Sequence, residues 1–159
     1  MNDQMNMVSP ENAPENVAST YALVQKKLGR VPNMYQVMAN SPAVLKAYVS
    51  FQAALGEGLL NKQTAERIAL AAAEKNHCSY CLSAHDFFGR KVGLSAEDIF
   101  DARSLRASDE KVNSTLAFVQ KILESPGELS QNDLFVLREA GISDGEILEI
   151  VANSSTSII

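Results

Sequence analysis

The sequence predicts an all-α protein, on three observations. Apolar residues recur at intervals of three and four, as in Val17, Tyr21, Val24 and Leu28, the period of one helix face. No stretch of useful length alternates apolar with polar residues as a half-buried strand would. The periodic runs are also punctuated as helices are, with Ser or Asn ahead of them and Gly or Pro behind. The prediction is one helical bundle over residues 15–159, of about seven or eight helices with short connections.

Each element follows from local chemistry. Residues 1–14, MNDQMNMVSPENAP, show no helical period and read as a flexible lead-in. The stripe from Val17 to Leu28 makes the first helix, stopped by Gly29 and Pro32. Ser41-Pro42 places a capping hydroxyl ahead of a proline at the first helical position. It opens a helix in which Leu45, Tyr48 or Val49, Gln52 and Leu55 share a face before Gly56 and Gly58. A helix starting near Asn61 carries Ala65, Ile68, Ala69, Ala72 and Ala73, and these small side chains allow a neighbouring helix to approach closely. Apolar positions then run through Phe87, Phe88 and Val92 to Gly93, a helix-ending glycine. Ser95 with Asp98, Ser130 with Asp133, and Ser143 with Glu146 have capping-box spacing, so each serine starts a helix. Between them Val112, Leu116, Val119 and Leu123 form a stripe ended by Ser125-Pro126-Gly127. The last residues, Ser157-Ile158-Ile159, extend a helical, apolar run without a cap, as expected of a chain that lacks a terminal piece or has its end covered by a partner.

Composition narrows the function. With 159 residues, 46% of them hydrophobic, the chain is long enough to bury a core without disulfides or metals as staples. A net charge of −5 and no basic stripe exclude nucleic acid as a partner. No window approaches the roughly 18 apolar residues of a membrane helix, and the N-terminus lacks the features of a secretory signal. The expected compartment is the cytoplasm, where thiols stay reduced and a close cysteine pair reads as a metal or redox pair rather than a permanent bridge.

The stretch HCSYCLSAH, His77 to His85, holds every cysteine and histidine of the chain. On a helix Cys81 lies about 60° round from Cys78, and His85 about 40° from Cys81, so the three share a face. A thiol one turn from an imidazole can be deprotonated, and a second thiol on that face can resolve an oxidised sulfur. Zinc is the competing use, with His77, Cys78, Cys81 and His85 as four candidate ligands. Adjacent His77 and Cys78 point about 100° apart on a helix, which favours the redox pair. A c-type haem site would need histidine where Leu82 stands. A helix N-terminus favours thiolate at Cys78 and the histidine favours it at Cys81, so spacing alone leaves the attacking sulfur open. Glu66 and Glu74 are both candidates to orient the base. On one continuous helix Glu66 would lie about 28 Å from His85, so it can act only if the chain turns back, which Asn76-His77 could do.

The spacing Glu66-x11-Cys78-x2-Cys81-x3-His85 resembles the core motif of the alkylhydroperoxidase D-like branch of the carboxymuconolactone decarboxylase superfamily. Gly29-Arg30-Val31-Pro32-Asn33, Ser41-Pro42 and the run to Leu55 resemble its peroxidase-related members, so the likeness extends to about Gly93. The resemblance implies an alkylhydroperoxidase D-like helical bundle, assembled as a homo-oligomer, commonly a trimer or hexamer. It also implies a thiol peroxidase that takes a hydroperoxide and an external dithiol or protein reductant, with no cofactor and no metal. Its pattern would make Cys81 the peroxidatic thiol, Cys78 the resolving thiol and proton donor, His85 the base and Glu66 the relay through a water. It therefore requires the bend near Asn76. Some family peroxidases carry histidine where this chain has Tyr80, whose role is then packing or lining the site. The alternatives are a lactone decarboxylase, which needs no cysteine pair, and a non-catalytic oligomeric protein on the same scaffold. Phe51, Phe87, Phe88 and Met34 could line a substrate cavity, though such residues at helical spacing are more often core.

Overall fold

The structure is a computed structural model and describes residues 5–157. The start of the lead-in, residues 1–4, and the terminal Ile158 and Ile159 lie outside the described residues. A 3-10 turn, Pro10–Asn12, precedes α1 (Glu15–Leu28), α2 (Asn33–Met38), α3 (Pro42–Leu55), α4 (Lys62–Lys75) and α5 (Ser79–Lys91). Then come α6 (Ala96–Arg103), α7 (Glu110–Glu124), α8 (Gln131–Glu139) and α9 (Asp144–Thr156). The described residues contain no strand. The helix beyond the expected seven or eight is α2, whose six residues are too few to repeat an apolar face. Pro32, expected only as a stop, is also its N-cap.

The described residues divide into two compact units at Ala54-Leu55, within the span 15–159 that the sequence reads as one domain. In the first, Val17, Tyr21, Val31, Ala39 and Leu45 form a buried cluster. Tyr21 contributes its ring to this core, and its hydroxyl donates to the Val8 carbonyl at 2.8 Å. Burial raises the Tyr21 pKa. The Val8 N–H donates to the Gln36 carbonyl, and the Asn40 amide donates to the Asn6 carbonyl, so the lead-in is tied down from Asn6 onward. Gly29 ends α1 at φ 78°, a left-handed conformation that glycine adopts without a Cβ clash.

The second unit is built around α4, which packs against α5, α6, α7 and α9. Asn61 caps it, its side chain accepting from the Thr64 N–H at 2.8 Å. Ile68 and Ala71 join Leu116, Val119, Leu137 and Ile150 in one cluster, while Leu70 joins Leu94, Ile99 and Ala102 in another. Ala72 and Ala73 are also buried, so α4 is covered more widely than one amphipathic stripe allows. The three serine capping boxes are all formed, with serine and carboxylate bonded reciprocally at the starts of α6, α8 and α9. At its far end α9 runs to Thr156 with Ser157 as its C-cap, the Ser157 N–H bonding back to Ser154, and the rest of the expected terminal run lies outside the described residues. No helix among the described residues is long and apolar enough to cross a membrane.

Candidate active site

The ends of α4 and α5 build the site. Asn76 ends α4, His77 takes φ 53°, and the chain reverses into α5. The Cys78 N–H donates to the Ala73 carbonyl and the His77 N–H to the Glu74 carbonyl. That double bond pattern, with a left-handed residue between, is a Schellman motif. Gly93 and Gly141 occupy the same position after α5 and α8, at φ 94° and 75°. His77 does a glycine's backbone work, and its exposed side chain is one the site does not use.

The bend makes Cys78 the N-cap of α5, its sulfur accepting from the Cys81 N–H at 3.2 Å. Cys78 and Cys81 are joined in a disulfide, their Cα atoms 5.3 Å apart. His85 follows one turn after Cys81, the spacing at which helix side chains are neighbours. With the chain turned back, His85 meets Glu66 on α4 directly, Nδ1 to Oε2 at 2.8 Å with both side chains partly buried, where the resemblance implied a contact through a water. A carboxylate only accepts, so Nδ1 carries the proton and Nε2 is left as the nitrogen that can act as a base.

Glu74, the other candidate carboxylate, accepts from Arg103 on α6 at 2.7 Å, a partner that the fold brings from another helix. Next to Glu66, Arg67 donates to Asp98 at 2.7 Å and fixes the start of α6 against α4. The Ser95 hydroxyl and N–H, reinforced by Arg67, hold the Asp98 pKa down at about 2. No periodicity in sequence points to the Arg67–Asp98 pair, because its members lie in different helices.

Of the four candidate zinc ligands, the two sulfurs are bonded to each other in this state. Among the described residues no group of three or more His, Cys, Asp or Glu is arranged to hold a metal ion. The aromatic residues proposed for a cavity or core divide differently. Phe87 is 57% exposed and Phe51 43%, so neither is core. Phe87 packs edge-to-face on Phe88 and lies under the Lys91 ammonium, 5.3 Å from the ring centre. Phe51 and Met34 belong to the first unit. Tyr80 is 49% exposed on the first turn of α5, between the two cysteines. A separate cavity of about 410 Å³ is lined by Leu60, Arg67, Lys111, Thr115 and Glu146 and touches none of the four site residues.

Comparison with known proteins bears on this geometry. The model of the Carboxymuconolactone decarboxylase family matches residues 42–122. No curated protein matches the chain. Among solved structures, an uncharacterized peroxidase-related protein from Silicibacter sp. TM1040 is 26% identical with a TM-score of 0.80, over 92% of this chain and 80% of that one. An uncharacterized peroxidase-related protein from Ralstonia eutropha JMP134, described as an alkylhydroperoxidase AhpD core, is 25% identical with a TM-score of 0.84, over 96% and 83%. The debrominase Bmp8, as a cysteine-to-alanine variant in complex with 2,3,4-tribromopyrrole, has a TM-score of 0.80 over 99% and 85%. At 19% identity it shows a shared fold alone.

Proposed function

This chain belongs to the carboxymuconolactone decarboxylase family, and we propose that within it the protein is a thiol-dependent peroxidase. The observation that carries this reading is the Cys78–Cys81 disulfide, one helical turn from a histidine held by a carboxylate. The two peroxidase-related structures, at 25% identity or just above, support it.

In the reduced protein His85 Nε2 takes the Cys81 proton, and Glu66 steadies the imidazolium through Nδ1. The Cys81 thiolate attacks the terminal oxygen of a hydroperoxide; the O–O bond breaks, giving Cys81 sulfenic acid and an alkoxide that takes a proton and leaves as the alcohol. The Cys78 thiolate, favoured by the helix start and the Cys81 N–H, then attacks the sulfenic sulfur. Hydroxide leaves as water and the disulfide forms. An external dithiol supplies two electrons and two protons to restore both thiols. Attack on Cys81 would expel the Cys78 thiolate, which the helix start stabilises.

The same reading includes a cytoplasmic location, where a reducing pool can reset the disulfide. It also includes a homo-oligomer, trimer or hexamer. Phe100, Phe135 and Leu148 are each more than half exposed and offer apolar surface for copies to cover.

The test is turnover of an organic hydroperoxide by the reduced protein in the presence of a dithiol. Alcohol should form, and one equivalent of peroxide should lower the protein mass by two hydrogens. Cys81→Ser should abolish turnover; full peroxide-dependent turnover in that variant overturns the assignment. A lactone decarboxylase would act on its lactone with both cysteines replaced, and a non-catalytic scaffold would leave the peroxide unconsumed.

A further inference from the structure

Three successive residues at the end of α4 are each tied to a different helix. Glu74 pairs with Arg103 of α6 at 2.7 Å and Lys75 with Glu124 of α7 at 2.6 Å. Asn76 donates through Nδ2 to the backbone carbonyl of Ser157, just past α9, at 3.0 Å. The first two are ion pairs between half-exposed side chains, which water and salt weaken. The third is also exposed, but it is uncharged and so insensitive to salt, and it reaches main chain that follows the buried Ile150, Ser154 and Thr156 of α9. It is also the tie nearest Cys78 in sequence, two residues before it.

We propose that Asn76 is a positioning residue for the redox pair, holding the α4–α5 bend in the form that keeps Cys78 and Cys81 within bonding reach. The bend needs holding. His77 occupies the left-handed region without being glycine, a strained state that persists only where its surroundings impose it. Cys78 must leave that bend with extended dihedrals, φ −90° and ψ 91°, to cap α5 and face Cys81. The Asn76 backbone N–H is already spent on the last turn of α4, so its side chain is the group free to anchor the bend from outside. A loosened bend lets Cys78 sample positions from which the disulfide cannot close, and the reduced form gains. This inference rests on the Cys78–Cys81 redox pair of the proposed function and not on the peroxide as substrate.

The experiment equilibrates the full-length protein with reduced and oxidised dithiothreitol and reads the fraction of disulfide by mass after alkylation. Asn76→Ala should move the exchange equilibrium toward the dithiol by roughly three- to tenfold, the range one net hydrogen bond supports. Asn76→Asp, which cannot donate to a carbonyl, should move it at least as far. Ending the chain at Thr156 removes the acceptor and should give the same shift, and combining it with Asn76→Ala should add nothing more. An equilibrium within twofold of the parent in a normally helical Asn76→Ala protein overturns the proposal, as does full additivity of the two changes. If Asn76→Ala does not fold, the Thr156 truncation decides alone: a shift supports the proposal and none overturns it. No step of this readout needs turnover, so a protein inert toward hydroperoxides would remove the peroxidase reading and leave this one standing.

Discussion

Nδ1 of His85 and Oε2 of Glu66 lie 2.8 Å apart, although 19 residues separate them in sequence and they sit on different helices, α5 and α4. The carboxylate selects the tautomer that leaves Nε2 as a base. Glu66→Gln keeps the shape and a possible acceptor but removes the charge that stabilises an imidazolium. We expect alkylation of reduced Cys81 at neutral pH to slow on the order of tenfold, with its pH profile displaced upward, while helicity is unchanged. An unmoved profile would take Glu66 out of the mechanism.

His77 gives a backbone prediction. At φ 53° glycine is unstrained, so His77→Gly should fold and form the disulfide as the parent does. His77→Val, β-branched where that branch clashes, should lose about 1–2 kcal/mol in denaturant unfolding. Equal stability of the two variants would mean the bend relaxes in solution.

Acid stability follows from the capping carboxylates. Ser95 first, then Arg67, holds Asp98 at about 2; Lys121 first, then Ser130, does so for Asp133; Lys111 first, then the Ser143 N–H, does so for Glu146. A depressed folded pKa adds stability that is complete above the unfolded pKa near 4 and is lost as pH falls toward the folded value. Unfolding free energy should therefore be flat above about pH 5 and fall between about pH 4 and pH 2. Asp98→Asn should flatten part of that fall, as read by urea titration at stepped pH.

Ala72 is fully buried in the α4 packing. Ala72→Leu should destabilise the protein by about 1–3 kcal/mol, because the close approach of neighbouring helices leaves no room for the added atoms. Exposed Ala53, substituted in the same way, should change unfolding by less than about 0.5 kcal/mol.

These variants mark what the sequence made legible. Capping chemistry is local, so Ser95, Ser130 and Ser143 could be read as helix starts from four residues each. The Cys78-Cys81-His85 grouping was legible because its members lie close in sequence, on one helix and its N-cap. Glu66 was legible only as one of two candidate carboxylates, since its place depends on a reversal at Asn76-His77 that spacing allows without requiring. Resemblance supplied what periodicity could not. The α2 helix was too short to show a period, and the wide burial of α4, at Ile68 and from Leu70 to Ala73, was hidden because alanine reads as indifferent to either face. The ties from Glu74, Lys75 and Asn76 reach across 29, 49 and 81 residues, beyond any local signal.

The central placement of α4 bears on how the site breathes. Amides from Ile68 to Ala73, surrounded by α5, α6, α7 and α9, should be among the last to exchange with deuterated water, opening only when the unit unfolds. Glu66 rides on that slow element, whereas the sulfurs sit at an exposed helix start that can fray. Fast local opening would then bring Cys78 and Cys81 to an incoming reductant while the carboxylate that orients the base stays in place.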